Sequence, residues 1–303
     1  MPLVPMAQLL SDARRAGYAV CYCESWNLES TQAVIEAAEE LESPIIVGFN
    51  GGFLIHQGRS KPENLAYYAG FKLAASKSPV PIAFLLNETD SLPQIEEAIE
   101  LGFNSIMVES PHMNKDQYRD LVKTVVKLAH DHDLFVEGQV GELPEGWEGG
   151  SPDSEITDPA VASAFVQETG VDALSVSIGN THVLTKGRSP VYLDKLEKIR
   201  EAVDVPLVIH GGSGFPSEYA GDVIKLGVAK FNFGTALKQT YLDAIRTKLS
   251  EYHEPMNPHV YLGMGGEKDI MVAGMEAVKA KVKELLKTYG YAGRNRIINN
   301  AIV

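Results

Sequence analysis

The sequence lacks an excess of positive charge. Its 303 residues include 27 Lys and Arg against 40 Asp and Glu, so the formal net charge at pH 7 is -13. Proteins that bind nucleic acids need clustered Lys and Arg to neutralise the phosphate backbone. The composition therefore predicts no nucleic-acid partner.

Long apolar runs are also missing. No window approaches the roughly 18 apolar residues that a membrane-spanning helix requires. The first residues, MPLVPMAQLL, contain no basic stretch followed by a long apolar one, so they do not resemble a secretory signal. We expect no membrane partner and a cytoplasmic location.

Cysteine is scarce, with two residues in the whole chain. Cys21 and Cys23 lie two positions apart in a strand-like run, which places both side chains on one face of a strand. We expect neither a disulfide nor a metal or redox role for them.

The chain does contain a repeated alternation of strand-like and helical segments. Segments with helical spacing, several opened by Asn, Asp, Ser or Pro, separate apolar runs that are typical of buried parallel strands. The eight runs are 18–23, 44–50, 80–86, 105–110, 134–140, 173–179, 205–211 and 230–235. Eight such units without a Gly-rich dinucleotide turn predict an α/β fold, a (β/α)8 TIM barrel. We expect one domain over residues 1–303, with the chain after residue 250 as a C-terminal helical extension packed on the barrel.

Polar residues follow these runs at their carboxyl ends, which meet at one mouth of such a barrel, where active sites lie. The run PIAFLL ends in Asn87, Glu88, Thr89 and Asp90. Other strand ends bring further candidates to the same mouth: Asn50, Glu109, Glu137, Gln139, His182, His210 and Asn232.

Two histidines and a carboxylate in this set predict a divalent metal ion. Glu88, His182 and His210 would provide three ligands and leave positions open for a substrate, as in catalytic zinc sites. Glu137 is a fourth candidate ligand. Zn²⁺ is the first choice, and Co²⁺, Mn²⁺ or Fe²⁺ suit the same donors. The alternative for each histidine taken singly is a hydrogen-bonded structural role.

Loops of small residues follow three late strands. They are SIGN (177–180), with Lys186 and Gly187 after it, HGGSG (210–214) and NFGT (232–235). In barrels, late loops of this kind commonly bind a phosphate through backbone N–H groups and a helix N-terminus. We therefore expect a phosphate here, the alternative being that Gly merely permits tight turns.

With these residues in view, the sequence resembles the class II, metal-dependent fructose-bisphosphate and tagatose-bisphosphate aldolase family. The likeness includes TQAVIEAAEELESPIIVG, EEAIELGFNSIMVE, ITDP, VPLVIHGGSG and YLGMGG. Members are (β/α)8 barrels that cleave a ketose phosphate reversibly to dihydroxyacetone phosphate and an aldehyde. The resemblance implies a homodimer or homotetramer and makes His182 and His210 metal ligands. It also implies substrate or phosphate contacts from Asn50, Gly179, Lys186, Gly211, Ser213, Asn232 and Thr235.

The chain departs from the family at the end of the third strand. The signature His-Leu-Asp-His falls on residues 85–88, so the catalytic Asp is replaced by Asn87 and the first metal-binding His by Glu88. An amide cannot exchange a proton with a substrate hydroxyl near neutral pH. Substitute proton carriers are Asp90 and the carboxylates of the loop GELPEGWEGG, with Glu142 first and Glu145 and Glu148 as alternatives.

These departures leave three hypotheses. In the first, the protein is a metal-dependent aldolase that acts through a dihydroxyacetone phosphate enediolate on a sugar phosphate other than fructose 1,6-bisphosphate. In the second, it is a different metal-dependent lyase or isomerase. In the third, it is a catalytically silent sugar-phosphate-binding paralogue. Metal analysis and proton exchange in dihydroxyacetone phosphate separate the third from the others, and a product screen separates the first two.

Overall fold

The eight strands form a closed barrel in which each strand pairs with its sequence neighbours and the last strand pairs with the first. The computed structural model describes residues 3–141, 156–184 and 186–291. All strand pairs are parallel. The strands are β1 Val20–Glu24, β2 Ile45–Asn50, β3 Ile82–Thr89, β4 Ser105–Val108, β5 Phe135–Val140, β6 Ala173–Val176, β7 Leu207–Ile209 and β8 Val228–Phe233. The predicted (β/α)8 barrel is confirmed.

Thirteen α-helices occur among the described residues. They are α1 Met6–Ala16, α2 Leu28–Glu40, α3 Gly51–Leu54, α4 Leu65–Ala69, α5 Lys72–Lys77, α6 Leu92–Leu101, α7 Lys115–His130, α8 Pro159–Thr169, α9 Leu193–Ala202, α10 Ala220–Lys225, α11 Thr235–Leu249, α12 Pro258–Tyr261 and α13 Ile270–Thr288. Side-chain caps fix several of their starts. Asn27, Ser91, Asn114 and Asp158 each accept a backbone N–H of the helix that they precede.

Two apolar cores explain why the strands are continuously apolar. On β1, Cys21 and Cys23 belong to the outer core between the strands and the surrounding helices. Val20 and Tyr22 belong to the barrel interior, where Leu10 of α1 also packs. Both cysteines lie among the described residues, and both are buried and unbridged, as expected. Because α1 contributes to the interior core at the amino-terminal side of the strands, the polar mouth is at the other side.

Residues 251–291 fold back onto the barrel, as predicted for the C-terminal extension. Helix α13 contacts α2 and α11, and its Val278, Val282 and Leu286 are buried in the outer core. Lys279 adds an ion pair to Glu36 of α2, 3.1 Å away. No helix in the described part of the chain is long and apolar enough to cross a bilayer. The extent of the single domain, residues 1–303, stays a prediction.

Candidate active site

The carboxyl end of β3 departs from regular strand geometry where the site begins. Strand β2 pairs with β3 as far as Asn50 opposite Asn87, but the β3–β4 register shifts between Leu86 and Thr89. Glu88, within that shift, has φ = 54°, a left-handed conformation that costs free energy for a residue other than glycine. The Nδ2 atoms of Asn50 and Asn87 both donate to the Glu88 carboxylate, and the Asn87 bond is 2.8 Å long. The two amides thus hold Glu88 in place.

Two histidines face this carboxylate. Oε1 of Glu88 lies 3.8 Å from Nε2 of His182 and 3.8 Å from Nδ1 of His210. These separations exceed hydrogen-bond length but are shorter than two metal–ligand bonds of about 2.0–2.2 Å placed end to end. Among residues 3–141, 156–184 and 186–291, no three His, Cys, Asp or Glu side chains form a ready metal-binding group as they stand. The chemistry of the three donors nevertheless fits a divalent ion.

The orientation and tautomer of His210 are set by the carboxylate of Glu137, which contacts its ring nitrogen Nε2. Oε1 of Glu137 lies 2.8 Å from Nε2 of His210, and Oε2 accepts from Nζ of Lys230 at 2.7 Å. Because a carboxylate only accepts, Nε2 carries a proton, and in the neutral imidazole the lone pair is then on Nδ1. Within the described residues that Nδ1 is buried and has no hydrogen-bond partner. An unpartnered buried lone pair aimed at Glu88 is what a metal ligand requires.

Glu137 itself was predicted to be a metal ligand, and the structure gives it other contacts. Both of its oxygens are engaged, one by His210 and one by Lys230. Burial acts to raise the pKa of Glu137, but the Lys230 charge and the His210 bond outweigh burial, and the pKa is lowered. Glu137 therefore stays an anion that holds the imidazole from behind.

Asn232, at the end of β8, lies beside the same ring. Its Nδ2 is placed 2.9 Å from Nε2 of His210 and 3.5 Å from Oδ1 of Asn87, while its Oδ1 finds no partner among the described residues. Since Nε2 carries a proton, the amide oxygen is the atom that suits this position, and exchanging O and N of the amide gives Nε2–H a second acceptor. Asn232 thereby reinforces the orientation that Glu137 imposes.

Glu109, which follows β4, is a carboxylate at the mouth whose pKa is raised. Burial, followed by the negative charge of Glu88, raises the pKa of Glu109 to about 7. Nε2 of Gln139 donates to it at 3.3 Å. Both side chains line a cavity of about 460 Å³ that continues along Tyr118 and Phe165. Glu109 is thus open to a small molecule and close enough to Glu88 for their charges to interact.

The three small-residue loops lie next to one another, and their predicted role in phosphate binding stays a prediction. Gly211 has φ = 68°, and a Cβ there would lie 2.1 Å from the Thr181 carbonyl oxygen, so only glycine fits. Gly179 also has a positive φ, 103°. Oγ of Ser213 accepts the backbone N–H of Ala236 at 3.0 Å, which ties the β7 loop to the N-terminus of α11, where Thr235 is the first residue. Lys186 is exposed.

Lys238, in the first turn of α11, is a cation that sequence reasoning missed. Nζ of Lys238 lies 2.5 Å from Oε1 of Glu24 at the end of β1 and 4.5 Å from the ring centre of Phe53. The Glu24 carboxylate in turn abuts Gly234, whose added Cβ would lie 2.2 Å from Oε2. Lys238 follows Thr235 by three residues on one helix, a spacing that puts both on one face. This three-residue spacing is the feature of the sequence that could have identified Lys238 as a candidate residue.

Of the predicted proton carriers, the structure describes Asp90. Oδ2 of Asp90 accepts from Oγ of Ser110 at 2.8 Å, a contact between the loops that follow β3 and β4. Glu142, Glu145 and Glu148 lie outside the described residues. Their roles stay predictions.

The fold and the clustered donors define the class of protein. A sequence model of the family described as "Fructose-bisphosphate aldolase class-II" matches residues 4–294. The chain belongs to this family, which confirms the resemblance.

Solved structures agree with this assignment. The YdjI aldolase from Escherichia coli K12 is 28% identical, with a TM-score of 0.78, over 97% of this chain and 99% of its own. A putative fructose-1,6-biphosphate aldolase from Coccidioides immitis is 24% identical, with a TM-score of 0.80, over 96% and 98%. The fructose-bisphosphate aldolase from Campylobacter jejuni is 19% identical, with a TM-score of 0.74, over 95% of each chain. The last two similarities concern the fold alone.

Proposed function

We propose that this protein is a metal-dependent aldolase that makes or breaks a carbon–carbon bond in a sugar phosphate through a dihydroxyacetone phosphate enediolate. The substrate differs from fructose 1,6-bisphosphate. The observation that carries the proposal is the placement of Glu88, His182 and His210 around one point beside the loops at Gly211 and Ser213. Metal-binding donors next to an anion-binding loop suit a phosphorylated ketose or ketone.

In this proposal Glu88, His182 and His210 hold the metal, and Glu137 positions His210 instead of binding the ion. A bound divalent ion supplies Lewis-acid chemistry at the substrate's carbonyl and hydroxyl oxygens. Zn²⁺ is the first candidate, and Co²⁺, Mn²⁺ and Fe²⁺ suit the same donors. The protein's own part is to fix the ligands, and the Asn50 and Asn87 amides do this for Glu88.

Proton transfer falls to Glu109 in this mechanism. The Asn87 amide donates to Glu88 and faces Asn232, and it cannot exchange a proton in any case. Glu109 lies at the same mouth, lines a cavity large enough for a small aldehyde, and has a pKa near the operating pH of most enzymes. It would take the proton from the hydroxyl of the cleaved carbon and return it in the reverse direction.

The test is exchange of the α-protons of dihydroxyacetone phosphate with deuterated water, followed by proton NMR on Zn²⁺-loaded protein. We expect exchange by the wild type and loss of both bound Zn²⁺ and exchange in His210→Ala. His132→Ala removes an exposed histidine at the end of α7 and should change neither. Glu109→Gln should keep the metal and the exchange, because exchange involves no hydroxyl of the cleaved carbon, but it should slow aldol condensation of dihydroxyacetone phosphate with an aldehyde by about 10²- to 10⁴-fold, the usual contribution of a general acid or base.

A wild type that binds Zn²⁺ but exchanges no proton would indicate a silent sugar-phosphate-binding protein. Full Zn²⁺ occupancy in His210→Ala would refute the metal site. If exchange occurs without any aldol product across a panel of aldehydes, the second hypothesis, a different metal-dependent lyase or isomerase, replaces the first. That alternative draws support from Asn87, because a carbon–carbon lyase of this family uses an acid at that place.

A further inference from the structure

Lys230 is a fully buried lysine in the wall of the barrel, with 0% of its surface exposed. On β8 its neighbours Phe231 and Phe233 pack in the outer core, whereas Lys230 pairs with Glu137 of β5. Its Nζ also lies 5.3 Å from the ring centre of Tyr22. Burying an ammonium group is costly unless a counter-charge and hydrogen bonds compensate. A lysine kept in such a place points to a role other than simple packing.

Its contacts form a short chain that ends at the candidate metal site. Nζ of Lys230 donates to Oε2 of Glu137 at 2.7 Å, and Oε1 of Glu137 lies 2.8 Å from Nε2 of His210. The other ring nitrogen of His210 is the buried atom that faces Glu88, 3.8 Å away. Each link uses one atom on each side, so the position of Nζ fixes the carboxylate, and the carboxylate fixes the imidazole.

We infer that Lys230 is a positioning residue for divalent-metal binding, acting through Glu137 to keep the Nδ1 lone pair of His210 directed at the site. The inference rests on the metal site of the proposed function. Lys230 does not touch the ion or the substrate. It holds Oε2 of Glu137, so that Oε1 remains in line with the N–H of His210.

Removal of the ammonium would undo this arrangement. Without Lys230 the Oε2 atom of Glu137 loses its hydrogen-bond donor, and the carboxylate can rotate in place or swing away from His210. Either response weakens the acceptor that fixes the imidazole. Partners that orient a metal-binding histidine typically change metal affinity by about 10- to 100-fold when they are removed.

The experiment measures Zn²⁺ affinity by competition with a chromophoric chelator, together with thermal unfolding of the metal-free protein. Lys230→Met should bind Zn²⁺ about 10- to 100-fold more weakly than the wild type. Lys279→Met is the matched control, because Lys279 is 13% exposed and pairs with Glu36 between α13 and α2, far from the site. It should lower the melting temperature and leave Zn²⁺ affinity unchanged.

A second pair of variants covers the case in which Lys230→Met does not fold. The double variant Lys230→Met with Glu137→Gln removes both charges and leaves the barrel neutral at this point. If Lys230 acts through Glu137, the double variant and Glu137→Gln alone should lose Zn²⁺ affinity equally.

Two results would overturn the inference while leaving the metal site intact. One is Zn²⁺ binding as tight as wild type in Lys230→Met or in the double variant. The other is a double variant that binds at least about 10-fold more weakly than Glu137→Gln, since Lys230 would then act independently of Glu137. A wild type that binds no Zn²⁺ would refute the metal site and this inference together.

Discussion

At residues 87 and 88, two substitutions relative to the family act as one unit. Glu88 replaces a histidine ligand with a carboxylate, and Asn87 replaces an acid with an amide that donates to that carboxylate at 2.8 Å. An ionised Asp at position 87 would instead place a second negative charge beside Glu88, and Glu109 already has a raised pKa partly because of Glu88. The amide is thus compatible with a carboxylate at position 88, and in the proposed function the proton-carrying role falls to Glu109, after β4.

Glu109 leads to a prediction about pH and stability in the metal-free protein. Its folded pKa of about 7 exceeds the usual Glu value of about 4.3, so the folded state binds this proton more tightly than the unfolded state does. The resulting stability is fully present below the usual pKa and is lost as pH rises through about 7. The Glu109→Gln variant cannot ionise at this position. The melting temperature of the variant minus that of the wild type should therefore increase as the pH is raised from about 5 to about 8.

The measurement is thermal unfolding in the presence of a chelator across that pH range. Glu96→Gln, at an exposed position of α6, is the control and should show no such trend. A difference between Glu109→Gln and wild type that is constant with pH, or that falls as pH rises, would contradict the environment assigned to Glu109.

At the scale of secondary-structure elements, the contact between β2 and β3 positions Glu88, the carboxylate of the proposed metal site. Gly48 sits opposite Leu85 in this pair, and the backbone there leaves no room for a side chain. A Cβ at Gly48 would lie 2.1 Å from the carbonyl oxygen of Leu85. Glycine at this position lets the two strands run together up to Asn50 and Asn87, whose amides hold Glu88.

Gly48→Ala should therefore destabilise the barrel, since overpacking typically costs about 1–3 kcal/mol and backbone cannot move aside as a flexible side chain does. The measurement is the urea midpoint of unfolding. Gly221→Ala in α10 is the control, because its added Cβ meets no described atom within 4 Å and alanine favours a helix. Equal midpoints for the two variants would show that β2 and β3 can separate at Gly48 without cost.

At the scale of the whole molecule, the proposed phosphate site joins parts of the chain that are distant in sequence. The β6 loop at Gly179, the β7 loop at Ser213 and the start of α11 at Thr235 belong to three consecutive βα units. A ligand that binds all three binds only the folded barrel, and it stabilises that state by mass action. The stabilisation reaches about 2.7 kcal/mol when the ligand is present at a hundred times its Kd.

Dihydroxyacetone phosphate should accordingly raise the melting temperature, and dihydroxyacetone without phosphate should raise it far less. Ser213→Ala should reduce the shift, whereas Ser76→Ala, at a half-buried serine near the end of α5, should not. Equal shifts from the two compounds would mean that the substrate lacks a phosphate group.

We also propose that the protein assembles as a homodimer or a homotetramer. Exposed apolar side chains occur on α11 and in the segment after α12, among them Leu242, Leu249, Leu262 and Met264, which are 48–66% exposed. Apolar surface of this kind is commonly covered by another subunit.

The sequence by itself determined the barrel and the end of it that carries the chemistry. Continuous apolar runs report burial on both faces, and burial on both faces is a local property that each strand shows independently. Polar residues directly after such runs therefore identified Glu88, His182 and His210 as neighbours at one mouth. The loops of the proposed phosphate site could be recognised for the same reason, because Gly211 and Ser213 lie within one short loop.

Only the tertiary structure decided how these residues act on one another. Glu137 and Lys230 are 93 positions apart, and no local pattern reports that β5 and β8 place them 2.7 Å from each other across the barrel. The same holds for Glu109, whose pKa depends on burial and on Glu88 from the adjacent strand. Periodicity records whether a side chain is buried, whereas charge interactions depend on distances between strands, which are set only when the barrel closes.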